Sequence, residues 1–501
     1  MINPIQQESV KPINSSIIIL GIITLFGAFL RLYHIGYKPF WLDEAVIYGI
    51  ANNSLKVTIL QNGVLNSAPP FYVILINFVL NIGDSEEILR LVSWIGGVAS
   101  IPAIYFLSSQ FIKKIPTFIT CFLVAVAPTQ VKYSQELREY SLTFFFSILM
   151  LLFFYKISKN PSWKNTFVLS LIMIIGVFLQ YGLSVLIISL NVIFLIEFLI
   201  NNKNRGLRLL RWTISQMFVL GSAIFIVIIS LSRQTRFFEN AQAGSNYLSS
   251  TYWDRNLSSL LNFSFNNTLD LFSFAFPGWI FFFITIIGFI YLIVRKGYFF
   301  EALMMLIIPM ILTYLMALFG LYPFHGGRQD IFLTPMIYLL FGFAIDFLFN
   351  LKRDIKWILL FLCLIPIFME TNSTLKYLNY SGSENIIPVI ETLSDNVRDS
   401  DVIYVYYSTK PAFNYYYKND VGNIIFGTYN RGQVQEYYKE IDKAISKSES
   451  SWLVFTHCYG NECNLIPDYV RETRNIELIV SDNDAYLYHV EPLVPINNER
   501  D

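Results

Sequence analysis

The sequence predicts a polytopic α-helical membrane protein that carries a smaller extracytoplasmic α/β domain at its C-terminal end. Of its 501 residues, 54% are hydrophobic and only 14% are charged, against roughly 25% charged residues in an average soluble domain. Apolar runs long enough to cross a bilayer as a helix recur up to residue 371. Beyond that point the charged fraction rises, and short apolar runs alternate with amphipathic stretches.

Eleven apolar runs have the length of transmembrane helices. They lie at residues 15–35, 89–110, 115–132, 139–157, 165–181, 183–200, 212–231, 272–294, 299–320, 331–349 and 355–371. The run at 70–82 begins with a proline and is too short to span, so we expect an interfacial helix within an external loop at 36–88. A second external loop is expected at 232–270. The predicted domains are therefore a membrane domain at 1–371 and an extracytoplasmic domain at 372–501.

The distribution of Lys and Arg predicts the orientation. With eleven spans and a cytoplasmic N-terminus, every short inside loop is basic, from Lys113-Lys114 to Lys352-Arg353, as the positive-inside rule requires. The first span has no cleavage site and should remain as an anchor. We therefore expect a multi-pass plasma-membrane protein. Its formal net charge is zero and its basic residues are scattered, which excludes nucleic acid as a partner.

The C-terminal domain has the pattern of an α/β fold. Strands are predicted at 401–407, 423–428, 452–456 and 476–480, with helices near 384–397, 411–418, 431–447 and 465–473. This alternation is typical of a mostly parallel sheet. Tyrosines at 404, 406, 407 and 415–417 fit either a buried core or sugar stacking. Cys458 and Cys463 fit either a disulfide or two free thiols.

Charged residues in the membrane domain gather at one predicted face. The predicted topology places seven of them at the extracytoplasmic side: Asp43, Glu44, Arg90, Glu136, Arg138, His325 and Arg328. An acidic pair held at a membrane surface carries a desolvation cost, which favours a role in chemistry over one in solubility.

Several motifs resemble those of glycosyltransferase family 39 and its relatives of the GT-C fold, which include protein O-mannosyltransferases and aminoarabinose transferases. The resemblance rests on Arg31-Leu-x-x-Ile-Gly36, Pro39-Phe40-Trp41-x-Asp43-Glu44-Ala45, Pro69-Pro70, Leu89-Arg90-Leu91, Tyr133-Ser134-Gln135-Glu136-x-Arg138-x-Tyr140 and Tyr322-Pro323-x-x-Gly326-Gly327-Arg328. It implies an inverting transfer of a sugar from a polyprenyl phosphate to a lipid, glycan or protein acceptor at the bilayer surface. Ser67-Ala68 stands where relatives often have a basic residue or His before the two prolines, so one phosphate or acceptor contact is expected to differ.

The resemblance implies that Asp43 is the general base and that Glu44 completes the catalytic acidic pair. The alternative is that Asp43 caps a short helix from Glu44 to Asn53. The expected substrate-binding residues are Arg90, Glu136, Arg138, Tyr140, His325 and Arg328. A guanidinium can bind the leaving phosphate, but each arginine also fits an interfacial cation that reaches out to the headgroups.

No cofactor is expected. An Asp-Glu pair can bind a divalent metal, but no Asp-x-Asp run lies near it in the sequence. Two other classes of protein remain as alternatives. A lipid or sugar transporter or flippase should show repeated halves and charges near the midplane. An inactive anchor that displays the C-terminal domain as a binding module should retain its function when Asp43 is replaced by Asn.

Overall fold

The computed structural model describes residues 15–200, 205–233, 245–276, 278–294, 300–351, 353–446 and 450–491. The first helices are α1 Ser15–Leu32, α2 Leu42–Ala51, α3 Leu55–Leu65, α4 Phe71–Val79, α5 Glu86–Ser108, α6 Lys114–Val126, α7 Pro128–Ser134 and α8 Tyr140–Lys159. They continue with α9 Trp163–Leu179, α10 Tyr181–Ile200, α11 Arg205–Ile226, α12 Leu260–Ala275, α13 Trp279–Val294, α14 Phe300–Leu318, α15 Thr334–Phe349 and α16 Arg353–Leu378. A π-helix at Val227–Leu231 and 3₁₀ helices at Ser245–Thr251 and Arg328–Leu333 complete this part.

Helices occupy all eleven predicted span positions. Among the described residues, seven helices are long and apolar enough to cross a membrane, or nine if each of two bent pairs counts as one span. The pair α6 and α7 bends by 52°, because Pro128 has no N–H to continue α6 and Ala127 before it is extended. The chain therefore changes direction at Pro128, where α7 begins. The chain is a multi-pass membrane protein, as predicted.

The two large external loops contain more helix than the sequence predicts. The nine-residue helix α4 matches the predicted interfacial helix, but α3 was not predicted, since its apolar residues follow no helical period. The prediction of a loop at 232–270 is wrong at its C-terminal end, where α12 begins at Leu260. Residues 234–244 of that predicted loop lie outside the described residues.

Loops that are predicted to be cytoplasmic lie close to one another. Lys159 Nζ is 2.5 Å from Glu301 Oε2, and the ion pair between Arg208 Nη2 and Glu197 Oε2 measures 3.0 Å. Lys113 donates to Asn350. The contacts of Lys159 with Glu301 and of Lys113 with Asn350 join loops that are far apart in the sequence, whereas Arg208 and Glu197 lie on the consecutive helices α11 and α10.

The C-terminal domain is a five-stranded mixed sheet with helices α17 Ile387–Asn396, α18 Lys410–Tyr416, α19 Val434–Ile445 and α20 Glu462–Arg471. Its strands are β1 Val402–Val405, β2 Asn423–Phe426, β3 Ser451–Thr456, β4 Ile476–Asp482 and β5 Ala485–Val490, in the order β2-β1-β3-β5-β4. Only β2, β1 and β3 are parallel. The prediction of a mostly parallel sheet is wrong in the other half, because β5 was missed. Asn483 and Asp484, both at positive φ, turn β4 back into an antiparallel hairpin.

The cysteines and tyrosines of this domain settle two open alternatives. Cys458 and Cys463 are joined in a disulfide with Cα atoms 5.5 Å apart. Tyr404 and Tyr406 are fully buried in the domain core, so they do not stack on a ligand.

Two neighbouring tyrosines dock the C-terminal domain on the membrane domain. The ring of Tyr415 packs 4.8 Å from that of Phe40 and 4.6 Å from that of Tyr48, measured between centroids. Tyr416 Oη accepts the N–H of Phe40 at 2.7 Å and donates to Glu86 at 2.5 Å. The C-terminal domain therefore rests directly on the turn that leads into α2.

Candidate active site

Asp43 lies in the first turn of α2, and the C-terminal domain holds the start of that helix. The N–H of Leu42, one of the donors left free at a helix start, donates to Glu384 Oε2 at 3.0 Å. The other oxygen of Glu384 is 2.6 Å from His457 Nδ1. Trp41 is the N-cap residue and makes no side-chain cap. The alternative in which Asp43 caps the helix is therefore wrong, and its carboxylate points elsewhere.

The Asp43 carboxylate faces two guanidinium groups. Arg328 Nη1 donates to Oδ2 of Asp43, and Arg138 Nη1 lies 3.2 Å from the same oxygen. Burial alone would raise the pKa of this carboxyl, but the two arginines outweigh that effect and hold the pKa below its usual value. Asp43 and Arg328 remain accessible, with 24% and 29% of their side chains exposed, whereas Arg138 is almost fully buried. The site thus presents an ionised carboxylate and one reachable guanidinium.

A tight loop brings Arg328 to a residue 285 positions earlier in the chain. Gly326 packs so closely on α12 that a Cβ atom there would lie 1.9 Å from the backbone oxygen of Asp270. The buried carboxylate of Asp330 accepts the N–H of His325 at 2.8 Å. These contacts fix the loop, and the absence of a side chain at Gly326 allows its close approach to the α12 backbone.

His325 packs within the loop that carries Arg328. Its ring lies against Gly327, and its Nε2 lies 3.3 Å from Gln329 Oε1. Burial lowers the pKa of His325, so the ring is neutral near pH 7. It lines neither of the two polar cavities described below. Donation from His325 to the leaving phosphate stays a prediction.

Glu44 and Arg90 form a buried pair beneath the site. Arg90 donates from Nε to Glu44 Oε1 at 2.9 Å and from Nη2 to Oε2 at 2.7 Å. Its Nη1 donates to the carbonyls of Ile35 and Lys38, both at 2.8 Å. The N–H of Leu137 adds a bond of 2.5 Å to Glu44. All three nitrogens of Arg90 thus have protein acceptors, and direct substrate contact by Glu44 and Arg90 stays a prediction.

A cavity of about 410 Å³, here called the arginine pocket, opens beside Arg328. Its polar lining includes Arg328, Gln329, Tyr140, Glu139, Gln180 and Tyr322. The sequence analysis did not single out Glu139, Gln180 or Gln329. Glu139 Oε2 lies 3.3 Å from Arg138 Nε, an ion pair without hydrogen-bond geometry. Gln180 Oε1 is buried and has no hydrogen-bond partner among the described residues, while Gln180 Nε2 donates to the Arg328 carbonyl at 3.2 Å. No spacing rule distinguishes these residues from ordinary polar residues at helix ends.

An apolar groove between α10 and α11 adjoins the arginine pocket. Ser184 and Ile188 line both cavities. The groove has a volume of about 580 Å³ and is walled mainly by apolar side chains, such as Val177, Ile187 and Leu220. A polar cavity and an apolar groove therefore lie side by side.

A third cavity, here called the lysine pocket, has a volume of about 250 Å³. It is lined by Lys38, Trp41, Lys132, Gln135, Glu136 and Tyr377 with Pro39, Glu44, Arg90, Tyr380, Gly382 and Ser383. The predicted site residue Glu136 lies here, apart from Asp43, with Lys132 Nζ at 3.8 Å from its Oε1. Burial raises the pKa of Glu136 to about 7 and lowers that of Lys38 to about 7.

Within the described ranges, no group of three or more His, Cys, Asp or Glu side chains is arranged to hold a metal ion. The independence from metals that the sequence predicts stays a prediction.

The sequence matches the dolichyl-phosphate-mannose-protein mannosyltransferase family over residues 67–232, and no curated protein matches it. The family match and the fold together indicate a glycosyltransferase of the GT-C class, which confirms the resemblance drawn from the motifs.

Similar solved structures include ArnT from Cupriavidus metallidurans in the apo state, at 10% identity and a TM-score of 0.59, with 95% of this chain and 98% of that chain covered. The same protein bound to undecaprenyl phosphate is 11% identical, with a TM-score of 0.57 and the same coverage. The Archaeoglobus fulgidus oligosaccharyltransferase tethered with an acceptor peptide is 14% identical, with a TM-score of 0.55 over 89% of this chain and 70% of that chain. At these identities the likeness defines the fold, which is the predicted GT-C fold with a C-terminal sheet-containing domain.

Proposed function

We propose that this protein transfers a sugar from a polyprenyl-phosphate donor to an acceptor at the extracytoplasmic face of the plasma membrane, with inversion at the anomeric carbon. One observation carries the proposal. Arg328 pairs with the accessible carboxylate of Asp43 and lines the polar arginine pocket, which shares the wall residues Ser184 and Ile188 with an apolar groove. A polyprenyl-phosphate sugar has the matching order of parts, because its apolar tail partitions into the bilayer and its charged head lies at the interface.

Arg328 is the group we assign to the leaving phosphate. Its guanidinium lines the arginine pocket, is partly exposed and can donate in a bidentate way to phosphate oxygens. Arg138 is almost fully buried against Asp43 and Glu139, so we assign it to keeping Asp43 ionised. Glu44 and Arg90 then act as positioning residues, since they anchor the start of α2 from below.

Asp43 is the group we assign as general base. The acceptor hydroxyl or amine attacks C1 of the sugar, the bond from C1 to the phosphate oxygen breaks, and polyprenyl phosphate leaves with that electron pair. The acceptor proton passes to Asp43. When the phosphate engages Arg328, the attraction that lowers the Asp43 pKa weakens, so the carboxylate becomes a stronger base at the moment it is needed. One-sided attack by an activated nucleophile inverts the configuration at C1.

The similar structures support a polyprenyl-phosphate donor but do not identify the sugar that it carries. A structure of the similar ArnT holds undecaprenyl phosphate, and the similar oligosaccharyltransferase holds an acceptor peptide. In this chain Ser67 and Ala68 line the arginine pocket at the point where a basic residue was expected from the relatives. Arg328 therefore carries more of the phosphate charge here, and a neutral hydroxyl takes the place of that cation.

The test is release of polyprenyl phosphate by the purified full-length protein from a panel of labelled polyprenyl-phosphate sugars. Asp43→Asn should lower turnover about 10²–10⁴-fold, the range for a lost general base. Arg328→Ala should lower it about 10²–10³-fold, as for a lost charge-stabilising donor. Lys439→Ala removes an exposed cation on α19 and should change nothing. Full turnover in both site variants would overturn the assignment and favour an inactive anchor.

A chelator added to the same assay tests metal independence. We propose that turnover persists, since the site offers the charge of Arg328 to the leaving phosphate. Loss of turnover on chelation, with recovery on adding Mg²⁺ or Mn²⁺, would contradict this.

A further inference from the structure

The lysine pocket is a second polar cavity that the reaction described above leaves unused. Its walls come from three parts of the chain: the turn after α1, the loop after α7 and the segment that joins α16 to the C-terminal domain. Pro39, Gln135 and Ser383 represent these three parts. A cavity at such a junction, with polar groups that converge from several elements, is the usual form of a small-ligand site.

The polar groups of the lysine pocket suit an anionic ligand that also carries hydroxyls. Lys38 and Lys132 supply two amines against the single carboxyl of Glu136, because the charges of Glu44 and Arg90 cancel each other. The Lys38 amine already donates to the Tyr377 carbonyl at 3.0 Å, which holds it at the wall. An ammonium pair of this kind stabilises a phosphate, sulfate or carboxylate.

An unsatisfied polar group gives a second, independent sign of a ligand. Gln135 is more than nine-tenths buried and lines the pocket. Its Nε2 donates to the Tyr33 carbonyl at 2.7 Å, but its Oε1 has no hydrogen-bond partner among the described residues. The same holds for the indole nitrogen of Trp41. Buried polar atoms without partners are costly, and hydroxyl groups of a bound sugar would satisfy an acceptor and a donor of this kind.

Aromatic rings form part of the wall of the lysine pocket. Trp41, Tyr377 and Tyr380 line the pocket, and rings of this kind offer flat apolar faces with a polar edge. Trp41 also connects the two polar cavities, because the Arg328 guanidinium lies over its ring at 5.7 Å from the centroid. Since Trp41 is two residues from Asp43, a ligand in the lysine pocket lies against the same turn that carries the proposed base.

We infer that the lysine pocket is the acceptor subsite and that the acceptor is a saccharide bearing an anionic group near the attacked hydroxyl. Lys38 and Lys132 hold the anion, and Glu136 and Gln135 accept hydrogen bonds from the sugar hydroxyls. Trp41 and Tyr377 contact the sugar ring. The acceptor role rests on the proposed transferase function, but binding of an anionic saccharide does not, so the two can fail separately.

Direct binding tests the inference without a donor. The full-length protein in detergent is titrated with N-acetylglucosamine 6-sulfate, with uncharged N-acetylglucosamine and with inorganic sulfate, each followed by ligand-detected NMR. We expect the sulfated sugar to bind at least about tenfold more tightly than either single component, as for one added charge-assisted bond. Equal binding of the uncharged sugar, or of sulfate alone, would overturn the anionic-saccharide assignment.

Variants locate the binding. The Lys132 side chain is about half exposed. Lys132→Ala should therefore weaken binding of the sulfated sugar about tenfold and leave the melting temperature unchanged. Glu136→Gln removes a carboxylate that repels the anion, so it should strengthen binding of inorganic sulfate at pH 8, where Glu136 is ionised. Lys439→Ala is the matched control and should bind as the parent protein does. Undiminished binding by both Lys132→Ala and Lys38→Met would place the ligand elsewhere and overturn the inference. Release of polyprenyl phosphate by the same preparations reports on the proposed function separately.

Discussion

Replacement of Glu44 by Gln separates a positioning role from a catalytic one. Glu44 is 1% exposed and accepts two bonds from Arg90 and one from Leu137. Glutamine keeps the size of the side chain but leaves the Arg90 charge buried without a counter-ion. Its NH₂ group also faces one of the N–H groups that donate to the Glu44 carboxylate in the parent protein. Removing one partner of such a pair costs about 3–5 kcal/mol of the free energy of unfolding.

The assay compares melting temperature with turnover per folded molecule. Glu44→Gln should lower the melting temperature of the detergent-solubilised protein by several degrees and lower the folded yield. The exposed pair of Glu436 and Lys439 provides the matched control, because Glu436→Gln should change the free energy of unfolding by less than about 0.5 kcal/mol. The double variant Glu44→Leu with Arg90→Met should be less destabilised than Glu44→Gln, since no buried charge is left unpaired.

One result would refute this reasoning. If Glu44→Gln kept the parental melting temperature but lost turnover, Glu44 would act on the substrate, and the positioning role of the Arg90 pair would be wrong.

Three further predictions follow from the loop and pocket geometry. As pH rises from 6 to 8, Glu136 gains negative charge and Lys38 loses positive charge, because both pKa values are about 7. The affinity for N-acetylglucosamine 6-sulfate, measured by NMR titration, should therefore fall by about tenfold. Glu136→Gln should flatten this pH profile. Gly326→Ala should lower both turnover and the melting temperature, since its Cβ would meet the Asp270 backbone oxygen and force the loop away from α12. Tyr416→Phe should weaken domain docking, seen as faster protease cleavage near the junction; an unchanged cleavage rate would contradict it.

The membrane part was largely predictable because its signal is local. An apolar run of some 20 residues identifies a span without knowledge of its neighbours, so helices occur at all eleven predicted positions. The helix α3 escaped because its apolar residues lack a period. The strand β5 escaped because it follows β4 after a two-residue turn of Asn and Asp, which was not recognised as a hairpin. That omission changed the predicted sheet from mixed to mostly parallel.

The candidate site was only partly predictable, because it depends on contacts over long sequence separations. The motifs marked Asp43, Arg138 and Arg328, and the structure brings all three together. The contacts of the other predicted residues depend on how deeply their side chains are buried. Arg90 carries the same charge as Arg328, yet its nitrogens are consumed by protein acceptors. Glu139 stands between two motif residues and gave no signal, because its exposure to a cavity depends on α8 packing beside the loop that carries Arg328.

The docking of the C-terminal domain bears on how specificity can be exchanged among relatives. Glu384 and Tyr416 bind the backbone of the segment that precedes Asp43, so the C-terminal domain is not an independent unit. A chimera that joins a foreign C-terminal domain to these helices would disturb the Asp43 carboxylate even with every catalytic side chain retained. Functional chimeras should therefore take residues 36–51 and the C-terminal domain from the same parent, and substitutions in one should be accompanied by compensating substitutions in the other.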